Sequence, residues 1–197
     1  MLRKLNERTF PVRYTDKFYT EIPTLLPEFA QFAYFGGLAV GAICGRLEPI
    51  AGSADANKLY VMTIGVLNEY RQRGVGRKLL DLLLVNASAK PDVKVVYLHV
   101  QTSNAAALAF YAAAGFETLG RLENYYTKIA PSDCFVLAKV LDASSGATAA
   151  DYLGDLGPRL QRRRALHASP CNQPRVALGA RRGRHRRGHS RRQRESR

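Results

Sequence analysis

The period of the apolar positions changes several times along the first 142 residues, and each change marks an element. Residues 38–46 (Leu-Ala-Val-Gly-Ala-Ile-Cys-Gly-Arg) are a run of small apolar side chains and predict a buried strand. Residues 59–66 (Leu-Tyr-Val-Met-Thr-Ile-Gly-Val) are rich in β-branched and aromatic residues and predict a second strand. Alternation along it places Tyr60, Met62 and Ile64 on one face. After a turn at 71–76 the period becomes helical, with Leu79, Leu80, Leu83 and Leu84 on one side. Residues 93–101 return to strand, and residues 105–114 form a helix that Ser103 or Asn104 caps and Gly115 ends. Two last strands are predicted at 116–122 and 134–140.

Upstream, residues 1–6 read as the end of a helix, and the proline at position 11 disfavours helix through 9–14. Residues 28–35 predict a short helix leading to a strand, Gly36-Gly37 a turn, and 49–57 a loop. The order strand, helix, strand, helix, strand implies a right-handed βαβ crossover and an α/β fold with a mixed sheet. Beyond Asp142 the composition shifts to Ala, Ser, Gly and Arg. A domain is therefore expected over 1–142 and an Arg-rich low-complexity tail over 143–197, disordered at least across 181–197.

Charge follows the same division. The net formal charge of +14 splits into +3 for residues 1–142 and +11 for 143–197, so the basicity belongs to the tail and does not make the domain a nucleic-acid binder. Cys44, Cys134 and Cys171 are odd in number and far apart, without metal-ligand spacing, so no metal is expected. No N-terminal apolar run follows the basic start and no stretch approaches a membrane span, which sets a reducing compartment and no membrane contact as the expectation.

Candidate chemistry begins at the 71–76 turn, Arg71-Gln72-Arg73-Gly74-Val75-Gly76, followed by Arg77. Glycines permit a tight turn and close backbone approach, and a helix start offers free N–H groups with partial positive charge. That is the chemistry of a phosphate seat. A plain strand-to-helix connection has the same outline. A Walker loop is excluded because no Lys-Ser/Thr follows the last glycine, and a dinucleotide fingerprint because only two glycines occur.

Taken with Asn104, Ala107, Phe110, Tyr111, Gly115 and Phe116 after the next strand, Arg71-x-x-Gly74-x-Gly76 resembles the GNAT acyl-CoA acetyltransferase superfamily. Phe10-Pro11-Val12, Tyr14, Asp16-Lys17-Phe18-Tyr19, Leu59-Tyr60-Val61-Met62-Thr63, Tyr97-Leu98-His99-Val100-Gln101 and Asn124-Tyr125-Tyr126 narrow the likeness. Together they resemble the N-terminal protein acetyltransferases of that superfamily that act on chains beginning with methionine, over about residues 4–141.

The resemblance implies the GNAT fold, acetyl-CoA as cosubstrate, and roles for individual residues. The turn residues Arg71, Gln72, Arg73, Gly74, Val75, Gly76 and Arg77 would receive the coenzyme's pyrophosphate. Asn104 would bind the pantetheine arm, and Tyr111 would stand by the sulfur. Backbone N–H groups at Ile64 and Val66 would face the thioester carbonyl. An α-amino group has a pKa of roughly 8 and must lose a proton before it attacks. Tyr60 and His99 would hold a water that takes that proton; His99 is the only histidine before residue 143. Without the resemblance, His99 and Tyr60 would read as packed strand residues. Phe10, Pro11 and Val12 would line an apolar pocket for the first methionine, with Tyr14 and Met62, while Tyr125 and Tyr126 clasp the peptide backbone. Neither Cys44 nor Cys134 has a base nearby in sequence, which favours direct transfer over a covalent intermediate.

Two departures from the family pattern carry expectations of their own. The family begins with a further strand and a complete first helix, whereas this chain starts partway through that helix. An unpaired sheet edge, and lower stability or a shortened chain, is expected. The basic tail has no family counterpart; RNA contact and nuclear localisation compete with no role. By resemblance the substrates are nascent or mature protein N-termini. The partners are NatA-type auxiliary and catalytic subunits at the ribosome, and the compartment is cytoplasmic, with the nucleus a second site. A lysine or small-amine acetyltransferase, or a catalytically weak binding subunit, would share the same motifs.

Overall fold

The computed structural model describes residues 1–11 and 13–154. Val12 and the arginine-rich stretch at 181–197 lie outside the described residues. Helix α1 (Leu2–Thr9) and helix α2 (Asp16–Glu21) precede a hairpin of β1 (Ala30–Phe35) and β2 (Leu38–Pro49). Strand β3 (Asn57–Val66), helix α3 (Val75–Ser88), β4 (Val93–Gln101) and helix α4 (Ala105–Ala112) follow, then β5 (Glu117–Leu122) and β6 (Cys134–Val140). The expected helix at 28 is a single 3-10 turn, Pro27–Phe29, that passes directly into β1 at Ala30. The turn at Gly36-Gly37 forms with both residues at positive φ, 54° and 79°.

The six strands make one mixed sheet in the order β1-β2-β3-β4-β6-β5. Only β3 and β4 run parallel, joined by α3, and the other neighbours are antiparallel. Within the described residues β1 is the end strand, paired with β2 alone, and Tyr34, Phe35 and Leu38 at its hairpin are exposed. One sheet face carries Leu59, Val61, Ile64 and Val66 against Leu79, Leu80 and Leu83 of α3. The other carries Tyr60, Met62, Tyr97 and Val136 against Leu5, Phe10, Tyr14 and Phe18.

The alternation along β3 therefore breaks, and Ile64 lies on the face opposite Tyr60 and Met62. The cause is a bulge. Cys44 pairs with Thr63 and Gly45 with Val61, which leaves Met62 as an extra residue on β3. One extra residue reverses the inside–outside sense of everything after it.

The chain does not leave the sheet at Asp142. A 3-10 turn at Ala143–Ser145 leads to α5 (Ala149–Tyr152), whose start is held by a reciprocal capping box of Thr148 and Asp151. Ala149 and Leu153 are buried in the same cluster as Tyr97. Two apolar side chains among small and polar neighbours suffice to dock this turn, and composition alone did not reveal it.

Candidate active site

The parallel ladder between β3 and β4 is short. It runs Asn57–Val93, Lys58–Val95, Leu59–Val96 and Tyr60–Tyr97, and stops. Beyond it β3 stays paired with β2 as far as Val66–Gly41, while β4 stays paired with β6 as far as Gln101–Cys134. Each strand follows its other neighbour, so the sheet parts at Tyr60 and Tyr97.

A cleft of about 440 Å³ opens beside this split, between Ile64 and Val66, the glycine turn, and the α4 residues Ala106, Ala109 and Phe110. Arg71, Gln72, Gly74, Val75, Gly76 and Arg77 all line it. Gly74 sits at φ 78°, a left-handed conformation that favours glycine, and leads into α3. The first bond within α3 runs from Lys78 N–H to Gly74 O. The N–H groups of the turn before it have no acceptor inside the helix and carry the positive end of its dipole.

The arginines of the turn are less available than their charge suggests. Arg71 Nε–H donates to the Val66 carbonyl (2.8 Å), tying the turn to the end of β3. Arg77 Nε–H donates to both oxygens of Asp81 (2.7 and 2.9 Å), and its Nη1–H to Ala113 O (3.0 Å). Arg73 lies 5.9 Å from the Tyr70 ring centre. An anion seated at this turn would meet its backbone N–H groups more readily than these engaged guanidinium groups.

Asn104 is the N-cap of α4, its Oδ1 accepting from Ala107 N–H (3.1 Å). Tyr111 is fully enclosed, with Phe110 and Phe116 edge-on to it. It belongs to the core and does not line the cleft.

On the opposite face, His99 Nδ1 stands 3.3 Å from the Tyr60 hydroxyl. The Tyr125 ring stacks on His99 at 4.5 Å with planes 13° apart, and Tyr97 packs on Tyr60 at 5.0 Å. Burial lowers the His99 pKa to about 4, so at neutral pH its ring is uncharged. Burial pushes the Tyr60 hydroxyl well above its usual value, partly offset by a hydrogen bond with Tyr125. The pair is therefore uncharged and buried at neutral pH.

Phe10, Tyr14, Met62 and Tyr126 belong to one buried cluster around this pair, and Tyr125 packs against it. The Phe10 ring contacts Tyr14 edge-on at 5.5 Å. Phe10 also lies so close to β3 that a Cβ at Gly65 would fall 3.1 Å from its Cζ and 3.0 Å from Thr9 Oγ1. Pro11 is exposed.

Two groups carry no site role in the sequence pattern, although Phe110 and Tyr97 belong to the family likeness. Ala106, Ala109 and Phe110 wall the cleft, and their i, i+3, i+4 spacing was the available signal. The second is Arg46 and Glu48 with Tyr97; strand register alone brings it to Tyr60. Among the described residues no helix is long and apolar enough to cross a membrane, and no cluster of three or more His, Cys, Asp or Glu is placed to hold a metal ion.

A mixed sheet that splits at the Tyr60–Tyr97 rung beside a helix start, with His99 just past that rung, is the architecture of an acetyltransferase domain. The pattern of the Acetyltransferase (GNAT) family matches residues 1–116, and the chain belongs to that family. It is similar to N-alpha-acetyltransferase 50 of Danio rerio, 42% identical over 140 residues, covering 71% of this chain and 81% of that protein. It is also similar to the probable N-acetyltransferase san of Drosophila melanogaster, 38% identical over 140 residues, covering 71% of this chain and 74% of that one. The solved structure of Arabidopsis thaliana Naa50 with the bisubstrate analogue CoA-Ac-MVNAL superposes with a TM-score of 0.64 at 43% identity, covering 70% of this chain and 89% of that chain. The enzyme class is that of an acetyl-CoA-dependent N-alpha-acetyltransferase.

Proposed function

We propose that the chain transfers acetyl from acetyl-CoA to the α-amino group of protein N-termini that begin with methionine, by direct attack in a ternary complex. The observation that carries this reading is the Tyr60–His99 contact at the last β3–β4 rung, between a coenzyme-sized cleft and an apolar aromatic cluster. The Arabidopsis relative binds an analogue whose peptide part starts with Met.

In this mechanism the turn N–H groups of Gly74, Val75 and Gly76 meet the pyrophosphate. Asn104 is assigned to the pantetheine arm through its amide N–H, while Tyr111, enclosed in the core, backs the α4 wall of the cleft and does not reach the sulfur. A water held by Tyr60 and His99 takes the ammonium proton. The relay passes that proton to solvent, the amine attacks the thioester carbon, the C–N bond forms, the C–S bond breaks, and the leaving thiolate takes up the second proton that the nitrogen gives up. Backbone N–H groups at Ile64 and Val66 steady the oxyanion. Burial raises the Cys44 thiol to about 11, which suits a packed side chain and not an acyl carrier.

Phe10, Val12, Tyr14 and Met62 receive the methionine side chain, Pro11 shapes their loop, and Tyr125 and Tyr126 hold the peptide backbone. Burying that side chain is worth roughly 1.5–3 kcal/mol, a preference of about tenfold to a hundredfold. The proposed setting is a NatE-type catalytic subunit with NatA-type partners at the ribosome, cytoplasmic and also nuclear, with the basic tail a candidate RNA contact.

The test is acetyl transfer to peptides starting Met-Leu, against Ser-starting and internal-lysine peptides, beside His99→Ala and Tyr60→Phe. Selective turnover of Met-Leu peptides, lost in both variants, is expected. Equal rates on lysine peptides would overturn the substrate reading, and unchanged variants the relay.

A further inference from the structure

The last rung of the β3–β4 ladder lies in one row across the sheet: Arg46 opposes Tyr60, and Tyr60 opposes Tyr97. Past this row no further rung holds β3 to β4, yet this is where Tyr60 and His99 must keep their distance. Side chains take over. Tyr97 O–H on β4 donates to Glu48 Oε2 on β2 (2.6 Å), a bond that passes over β3 between them. The other carboxylate oxygen, Glu48 Oε1, accepts from Arg46 Nε–H (3.1 Å) and Nη2–H (2.6 Å). The Arg46 guanidinium carbon lies 5.7 Å from the Tyr60 ring centre, and Tyr97 sits 5.0 Å from Tyr60 and 6.0 Å from His99 between ring centres. Both oxygens of Glu48 are engaged, one by each side of the loop of contacts that closes around Tyr60.

We propose that Glu48, with Arg46 and Tyr97, is a positioning unit that fixes the Tyr60 and His99 rings and sets the proton affinity of the pair. None of the three touches the reacting atoms in this scheme; they act through Tyr60. The inference rests on the Tyr60–His99 relay reading. It explains why an ion pair stands beside an otherwise neutral, aromatic site: a charge-assisted bond resists rotation of Tyr97 where backbone pairing has ended. The two charges also oppose each other at Tyr60, Glu48 raising its proton affinity and Arg46 lowering it. The other titratable or charged groups facing the site are Tyr125 and Cys134, Lys58 near the Tyr97 ring at 5.9 Å, and Glu21 at 3.7 Å from Arg46.

The experiment measures kcat and KM against pH for the full chain with acetyl-CoA and a Met-Leu peptide. The variants are Tyr97→Phe, Glu48→Gln and Arg46→Gln, beside Tyr60→Phe and His99→Ala. Tyr97→Phe and Glu48→Gln are expected to lower kcat by about tenfold, with both KM values within about twofold of the parent. The limb of the kcat profile that reports the relay should move down in pH in Glu48→Gln and up in Arg46→Gln, by roughly half a unit or more. A merely structural role would not give opposite shifts. Tyr97→Phe keeps the ring and its volume, so it carries the test if Glu48→Gln fails to fold. Parental kcat in Tyr97→Phe, or limbs that move the same way, overturns the positioning unit while leaving the relay intact. Full activity in Tyr60→Phe and His99→Ala removes the relay and this inference with it.

Discussion

His99 Nδ1 lies 3.3 Å from the Tyr60 hydroxyl although the strands carrying them part after the Tyr60–Tyr97 rung, two residues before His99. The split opens the cleft beside the glycine turn on one face, and the same split leaves His99 beside Tyr60 on the other without a ladder bond between their strands. Side-chain packing, from the stacked Tyr125 and the flanking Tyr97, therefore has to hold the pair.

Burial of His99 links stability to pH. Its pKa falls from 6.5 to about 4 on folding. The neutral form is favoured in the folded state, so stability is fully present above the unfolded value and is lost as pH falls through the window from 6.5 to 4. Between pH 7 and pH 4.5 this one group should remove roughly 2–3 kcal/mol. Urea unfolding of the parent and of His99→Asn at both pH values checks it: the parent should lose that much more than the variant. Equal losses would mean that His99 is protonated or solvated in the folded protein.

Gly65 is held small by its neighbours. A Cβ there would approach the Phe10 ring and Thr9 Oγ1, and Thr9 is itself fixed by donating to Leu5 O (2.8 Å). Gly65→Ala should cost about 1–3 kcal/mol and push Phe10 out of place. In steady-state assays the KM for a Met-starting peptide should rise more than that for acetyl-CoA. A parental unfolding midpoint with parental KM values would show that Phe10 yields freely.

The sequence made β4, β6 and the glycine turn legible because their patterns are local: a β-branched run bounded by turn residues, and a helix start after paired glycines. It also marked Tyr60 and His99, through motif likeness rather than periodicity. The face of Ile64 was not legible. Met62 is as apolar as its neighbours, so a bulge there leaves no gap in the hydrophobic pattern and only strand register exposes it. Register likewise brings Arg46 to Tyr60, and no local signal on β2 foretells that. Docking of Ala149 and Leu153 depends on the exposed flank of β4 and β6, which their own composition does not encode.

The arginines of the glycine turn should separate by function. Arg71 Nε–H braces Val66 O, and its Nη2–H reaches Thr9 O at 3.5 Å, so it links the turn to both β3 and α1. Arg77 is exposed and paired with Asp81 four residues on. Arg71→Ala should lower stability by about 1–3 kcal/mol and weaken acetyl-CoA binding together. Arg77→Ala should change stability by less than about 1 kcal/mol. Calorimetric titration with acetyl-CoA beside chemical unfolding distinguishes them, and a larger stability loss in Arg77→Ala would reverse the assignment.

Leu153 tests whether the chain beyond Asp142 belongs to the working fold. It is 3% exposed and shares a buried cluster with Tyr97, Val136 and Ala138, and Ala149 enters the same cluster from the start of α5. The Thr148–Asp151 capping box fixes that short helix, with Thr148 N–H and Oγ1–H both donating to Asp151 Oδ2 at 2.7 Å. A four-residue helix has no stability of its own, so its order derives from this docking. Leu153→Ala removes a buried side chain that the sheet cannot close over, at a cost of about 2–4 kcal/mol. The thermal midpoint should fall by roughly 5–10 °C, with kcat at low temperature near the parent because no reacting group moves. An unchanged midpoint would detach α5 from the domain. A lost kcat with an unchanged midpoint would instead place Leu153 behind Tyr97 as part of the support for the active pair.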